Sequence, residues 1–188
     1  MRLSKRFEEA LTFAFQLHRN QSRKATPIPY IAHLLAVASL VLEHGADEDE
    51  AIAALLHDAV EDQGGAAARE QIRRRFGERV AEIVDGCTDT DATPKPPWRA
   101  RKEAYIGHLP QTSDSVRLVS LADKLHNARS ILMDYRDQGE ALWGRFQGGK
   151  EGTLWYYRTL VETLRPLGPA RLVDELARVV GEIEGLVE

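Results

Sequence analysis

The run Ala53-Ala54-Leu55-Leu56-His57-Asp58-Ala59-Val60-Glu61-Asp62 governs how the rest of the chain reads. Its first half is apolar all round, as in a helix buried in a helical core, and four ionisable side chains follow at once. Burying such groups without partners is costly, so they need a reason to be there. On one helix Glu61 lies four residues from His57 and three from Asp58, and Asp62 lies four from Asp58. The set is therefore expected to form one continuous polar sector. An ion could sit against that sector; equally, it could be a helix end whose charges face water, because matches of the HDxxED kind arise by chance.

Helical periodicity continues outward in both directions. The acidic segment Asp47-Glu48-Asp49-Glu50 suits the positive end of a helix macrodipole and opens the helix that carries the motif, which is expected to run to Gly64-Gly65. Upstream, Ser4 is an N-cap for a first helix with Phe7, Leu11, Ala14 and Leu17 on one face, ending in the polar stretch Arg19 to Lys24. Thr26-Pro27-Ile28-Pro29 breaks the chain, and a second helix runs from near Tyr30 to Gly45, apolar on nearly every side from Leu34 to Leu42. Downstream, helices are expected at about 67–76 and 78–88, joined at Gly77, and from near Trp98. Ser113 and Asp114 cap a long helix to about Tyr135, and two more cover about 150–164 and 170–186. Asp89 to Pro97, dense in Asp, Thr and Pro, reads as a loop and as a lid candidate. No run of alternating β-branched residues bounded by hairpin turns interrupts this pattern, so the fold class is all-α, a bundle of about eight to ten helices.

Composition narrows the function. A chain of 188 residues is expected to form one domain, 1–188. With 25 Lys+Arg against 29 Asp+Glu, the net charge of −4 lacks the basic footprint of a nucleic-acid binder, so any nucleotide partner is small. A single cysteine, Cys87, makes no internal disulfide, and the first residues carry charges where a secretory leader has an apolar core. The expected compartment is the cytoplasm. No apolar run approaches the roughly 20 residues of a membrane span.

Two further ionisable residues stand in apolar helical runs: His33 in Ile31-Ala32-His33-Leu34-Leu35, and Asp123 after Leu118-Val119-Ser120-Leu121-Ala122. Each alone is ordinarily a satisfied core residue or an ion-pair partner. Together with His57 and Asp58 they offer two imidazoles and two carboxylates from three helices. That is a mixed N/O site suited to Mn²⁺ or Fe²⁺ with open positions, and Zn²⁺ also fits. Open positions imply catalysis.

A separated His, a His-Asp doublet and a distant Asp, in this order, resemble the signature of the HD-domain phosphohydrolases. Pro29-Tyr30-Ile31-Ala32-His33, Leu55 to Asp62, Leu121-Ala122-Asp123-Lys124-Leu125-His126-Asn127-Ala128-Arg129 and Phe76 to Thr88 resemble the (p)ppGpp hydrolase domain of the RelA/SpoT group. They are similar above all to its free-standing small alarmone hydrolases, over about residues 5–165, with a C-terminal helix at about 170–187 beyond. The resemblance implies Mn²⁺ held by His33, His57, Asp58 and Asp123. It implies that Glu61 and Asp62 orient the attacking water and handle protons, and that Arg23, Lys24, Asn127 and Ser130 meet the substrate. Lys124 and Arg129 are further cationic candidates, Arg129 equally an ion-pair partner. The implied reaction is (p)ppGpp plus water to GDP or GTP plus pyrophosphate, with no synthetase activity. The chain departs from the group at Leu34, which follows His33 where proline is usual, at Pro27, and in the loop Asp89 to Trp98. The last two border the expected nucleotide pocket and leave (p)ppApp as an alternative. An HD phosphatase acting on NADPH or a nucleoside monophosphate, and a non-catalytic nucleotide sensor, are the other readings.

Remaining candidates take ordinary roles at this level. His18, His44, His108 and His126 read as surface or helix-end residues, with His126 nearest the pocket. Arg73-Arg74-Arg75 reads as a solvated face, Trp155 as core with Tyr156 and Tyr157 open, and Cys87 as a small apolar residue.

Overall fold

The structure is a computed structural model that describes residues 2–90, 92 and 94–187. Its helices are α1 (Lys5–His18), α2 (Ile31–Glu43), α3 (Glu48–Leu56), α4 (Ala59–Asp62), α5 (Gly65–Phe76), α6 (Glu78–Cys87), α7 (Trp98–His108), α8 (Asp114–Gln138), α9 (Gly149–Leu164) and α10 (Ala170–Val187). Single 3₁₀ segments, Leu109–Gln111 and Gly139–Arg145, follow α7 and α8. Among the described residues the nearest thing to a sheet is one backbone bridge between Ser22 and Pro29. The all-α expectation holds.

Helix starts follow the capping chemistry of the sequence. The Ser4 hydroxyl accepts the Arg6 N–H, and Asp47 and Glu50 form a reciprocal capping box at α3. Ser113 accepts from Val116 N–H to open α8. Gly77, at φ +95°, makes the corner between α5 and α6 with backbone that a side chain would strain.

The core is centred on α3, whose residues Ala51 to Leu56 are fully buried between α1, α2, α6 and α8. The 25-residue α8 crosses the molecule, and α10 packs against it and α9 with Leu172, Val173, Leu176, Val179, Val180 and Ile183 buried. On α1 the most deeply buried stripe is Ala10, Phe13, Ala14 and His18; Phe7, Leu11 and Leu17 pack at its margins. That face is turned slightly from the one expected, and it takes His18 into the core instead of leaving it at the surface.

One helical expectation fails in an informative place. The motif helix does not continue to Gly64: it stops at Leu56, and His57 and Asp58 form a turn before the single-turn α4. The His57 Nδ1 bonds the Ala54 carbonyl at 2.8 Å, competing for the acceptor that a continuous helix offers to the Asp58 N–H. The expected continuous polar sector is therefore split, with Glu61 and Asp62 re-aimed by the turn.

Candidate active site

The break at His57-Asp58 faces His33 from α2 and Asp123 from α8. His33, His57 and Asp58 place one ligand atom each within 4.8 Å of one another. Asp123 Oδ1 lies 3.2 Å from His33 Nε2 and 3.7 Å from His57 Nε2, and Asp58 Oδ2 lies 3.0 Å from His57 Nε2 and 3.5 Å from His33 Nε2. All four residues expected at a metal thus converge from three separate segments, with both imidazoles and Asp123 buried.

The donor set fits a divalent cation. His57 spends its Nδ1–H on Ala54, and His33 Nδ1 sits 2.8 Å from His126 Nδ1. Burial and the neighbouring His33 lower His126 to about 4, so His126 is neutral and accepts from His33. Both ligand-candidate rings are left with a buried Nε2 that has no hydrogen-bond partner, its lone pair aimed at carboxylate oxygens. Lone pairs facing carboxylates repel unless a cation lies between them. The pull for positive charge shows at His57: burial opposes the imidazolium, yet Asp58 and Asp123 outweigh it and hold the group well above its ordinary value. Burial likewise opposes the charged forms of Asp58 and Asp123. His57 holds Asp58 ionised and Lys124, 2.5 Å from Asp123 Oδ2, does the same for Asp123, so both stay well below the carboxylate range.

This cluster forms the inner end of a cavity of about 720 Å³. Asp62 lines it; Glu61 is not among the lining residues and is paired instead with Lys95 at 2.9 Å. Partial withdrawal from water and the charge of Asp58 raise the Asp62 carboxyl above its usual range. Arg23 and Lys24 line the mouth from the connection between α1 and α2. That connection is folded back by Arg23 N–H to Ile28 carbonyl and Tyr30 N–H to Gln21 carbonyl bonds, with Ala25 at φ +57° at its tip. Asn127 links the two ends: its amide donates to Asp123 Oδ1 at 2.5 Å and accepts from Arg23 at 2.7 Å. Ser130 also lines the cavity and donates to the His126 carbonyl.

Several participants were not singled out by their sequence surroundings. The Tyr30 hydroxyl donates to Asp58 Oδ2 at 2.5 Å; its place three residues before His33, on the same helical face, was the available signal. His126 stands in the same relation to Asp123, in mid-helix and half-buried, where a surface or helix-end residue was expected. Lys102 lines the wall from α7, anchored on Asp89. Tyr156 and Tyr157, left open by the sequence, face the cavity, while Trp155 packs against the edge of the core, half-buried under the Arg99 guanidinium, less deeply than expected. The buried positions of α9 are Thr153, Leu154, Tyr156, Tyr157, Leu160 and Leu164, a helical face with Trp155 at its margin. Arg129 pairs with Glu175 at 3.0 Å, in line with the ion-pair alternative, and Arg73 and Arg74 pair with neighbouring glutamates. His108 is exposed, His44 closes the end of α2, and Cys87 is buried with its thiol pushed up to about 11. Within the lid candidate, Asp91 and Thr93 lie outside the described residues.

The HD-domain family model matches residues 10–153, a span that includes His33, His57, Asp58 and Asp123. The guanosine-3′,5′-bis(diphosphate) 3′-pyrophosphohydrolase MESH1 of Xenopus tropicalis is 41% identical over 126 residues, covering 65% of this chain and 68% of that one. A solved structure described as a metazoan ortholog of SpoT that hydrolyses ppGpp aligns with a TM-score of 0.79 at 28% identity, covering 99% of each chain. A crystal structure of a Listeria monocytogenes protein aligns at 0.71 and 29% identity, covering 80% of this chain and 97% of that one. Among the described residues no helix is long and apolar enough to cross a membrane.

Proposed function

This chain belongs to the HD-domain family, and from that premise we propose that it is a metal-dependent 3′-pyrophosphohydrolase of (p)ppGpp, forming GDP or GTP and pyrophosphate. The observation that carries the proposal is the junction of a buried His/Asp cluster with a cavity whose mouth presents Arg23 and Lys24. The names of the relatives supply the substrate. We assign His33, His57, Asp58 and Asp123 as ligands of one divalent ion, with Mn²⁺ favoured by the mixed N/O set and Fe²⁺ or Zn²⁺ as the other candidates. When bound, the ion supplies Lewis-acid charge against the 3′-diphosphate and a lowered pKa for the attacking water.

The chain's own residues do the rest. Asp62, on the cavity wall with a raised carboxyl pKa, accepts the proton of the attacking water. A carboxylate brought closer to neutral pH is the better matched base. Glu61 is held away from the cavity by its bond to Lys95 and takes no proton in this reading. Arg23 and Lys24 offset the diphosphate charge at the mouth, Asn127 fixes Arg23 against Asp123, and Ser130 adds a hydroxyl to the same α8 face. In this reading the chain acts as one domain on a small-molecule partner in the cytoplasm.

Metal-stripped protein restored with Mn²⁺ and given ppGpp and ppApp separately provides the test. Mn²⁺-dependent release of pyrophosphate from ppGpp is the expected result, and the relative rates choose the base. Orthophosphate release, or no turnover with metal demonstrably bound, overturns the assignment.

A further inference from the structure

Asp62 ends a single-turn helix on the cavity wall with part of its side chain still reached by solvent, a placement that by itself leaves its carboxylate free to rotate. It is not left so. Gln21, from the connection between α1 and α2, donates its side-chain Nε2–H to Asp62 Oδ2 at 2.8 Å. The Gln21 Oε1 lies 2.7 Å from His18 Nδ1 and accepts from Gln63 Nε2 at 2.5 Å. The Gln21 backbone is tied on both sides as well, its N–H to the His18 carbonyl and its carbonyl to the Tyr30 N–H.

These bonds determine which way the Gln21 amide faces. An amide turned over would set its NH₂ against the Gln63 NH₂ and the His18 Nδ1–H, and its oxygen against the Asp62 carboxylate. Both contacts are repulsive. His18 is itself held: it is buried in α1, its ring is stacked on Tyr30 at 5.2 Å and 15°, and its Nε2 has no partner. A buried ring nitrogen without a partner is less costly bare than protonated, so the proton sits on Nδ1, where it donates to Gln21.

We propose that Gln21 is the positioning residue for Asp62, and that His18 acts through Gln21 by fixing the orientation of its amide. The chain His18 to Gln21 to Asp62 occupies Oδ2 and leaves Oδ1 to meet the reacting water. This inference rests on the assignment of Asp62 as proton acceptor and adds two residues, from α1 and the connection after it, to which that assignment gives no role.

The test combines Gln21→Met, which keeps length and loses both polar atoms, with Gln21→Glu, which keeps shape and replaces the donor by a repelling carboxylate. His18→Leu is compared with His18→Asn, whose amide N–H occupies the place of the Nδ1–H. On ppGpp with Mn²⁺, both Gln21 variants are expected to lower kcat about tenfold, a fraction of a full general-base contribution, with KM within about twofold. His18→Leu follows in the same direction and His18→Asn recovers most of the loss. In an Asp62→Asn background Gln21→Met has no further effect on kcat. A kcat loss that adds fully to that of Asp62→Asn, a change confined to KM, or a His18→Asn variant as slow as His18→Leu overturns the proposal.

Failure of the substrate assignment is distinguished by the wild type, which would then not turn over ppGpp at all. In that case, and where Gln21→Met does not fold, the Gln21 side-chain amide resonances decide, recorded with Mg²⁺ to avoid paramagnetic broadening. A downfield proton abolished by Asp62→Ala and by His18→Leu, and kept in His18→Asn, upholds the network. A Gln21 amide signal indifferent to Asp62→Ala sinks it.

Discussion

The inner and outer ends of the cavity are built from different kinds of chain. At the inner end, His33, His57 and Asp123 are buried on or against packed helices; Ala54 and His126 hold the Nδ1 atoms of His57 and His33, Lys124 holds Asp123 Oδ2, and Asn127 steadies Asp123 Oδ1. At the mouth, Arg23 and Lys24 stand on a short folded-back connection between α1 and α2. A group that must meet a metal or a reacting water within a few tenths of an ångström belongs on rigid elements. A group that neutralises phosphate charge acts over a longer range and tolerates a loop. Damage at the inner end is therefore expected to remove chemistry, and damage at the mouth to weaken binding.

The comparison breaks most visibly at the ligands. His57→Ala or Asp58→Ala is expected to cut kcat/KM about 10³-fold or more, with metal content falling in parallel by elemental analysis. Retained activity with a full complement of metal would show that the cluster is not the chemical centre. Next comes Asp62→Asn, expected to lower kcat about 10²-fold or more while metal remains bound, against a much smaller effect of Glu61→Gln. The opposite ranking would move the proton-handling role to Glu61. The same residue sets a pH dependence: with metal saturating, kcat falls as pH drops through the Asp62 pKa. Because withdrawal from water and Asp58 hold that pKa up, the acid limb lies at higher pH than that of an ordinary aspartate, and Asp62→Asn abolishes it.

At the mouth the effects shrink and change kind. Arg23→Ala is expected to raise KM about tenfold with kcat within a few-fold, since it removes a charge-assisted contact of about 1.5 kcal/mol and loosens Asn127. A kcat collapse instead would show that Arg23 acts on the reacting phosphorus. The smallest effect belongs to Arg129→Ala: its partly exposed pair with Glu175 contributes less than about 1 kcal/mol to stability, and turnover should stay within twofold of wild type.

Much of the inner end was legible from spacing alone. His33, His57-Asp58 and Asp123 stood out because ionisable residues in otherwise apolar helical runs need partners, and the structure supplies each with the others. The turn at His57-Asp58 was not legible, since nothing in a helical pattern says that an imidazole will take the carbonyl at Ala54. His18 and His126 were misread for a related reason. A histidine in a polar or amphipathic stretch resembles a surface residue until a distant segment covers it, as His33 does for His126 and Tyr30 for His18. The choice among Trp155, Tyr156 and Tyr157 was not legible either, because neighbouring aromatics on a helix differ only in which way the helix is turned.

By itself, then, the sequence determined the helical class, the capped helix starts and the identity of the candidate metal-binding side chains. These depend on periodicity and local hydrogen bonding, which act within a few residues. Packing settles that Asp62 rather than Glu61 lines the cavity beside Asp58 and Asp123, that His126 backs His33, and that Arg23 and Lys24 stand at the cavity. Those outcomes depend on contacts between segments tens of residues apart, such as Arg23 with Asn127 and Gln21 with Asp62. Packing alone determines the distances between such segments.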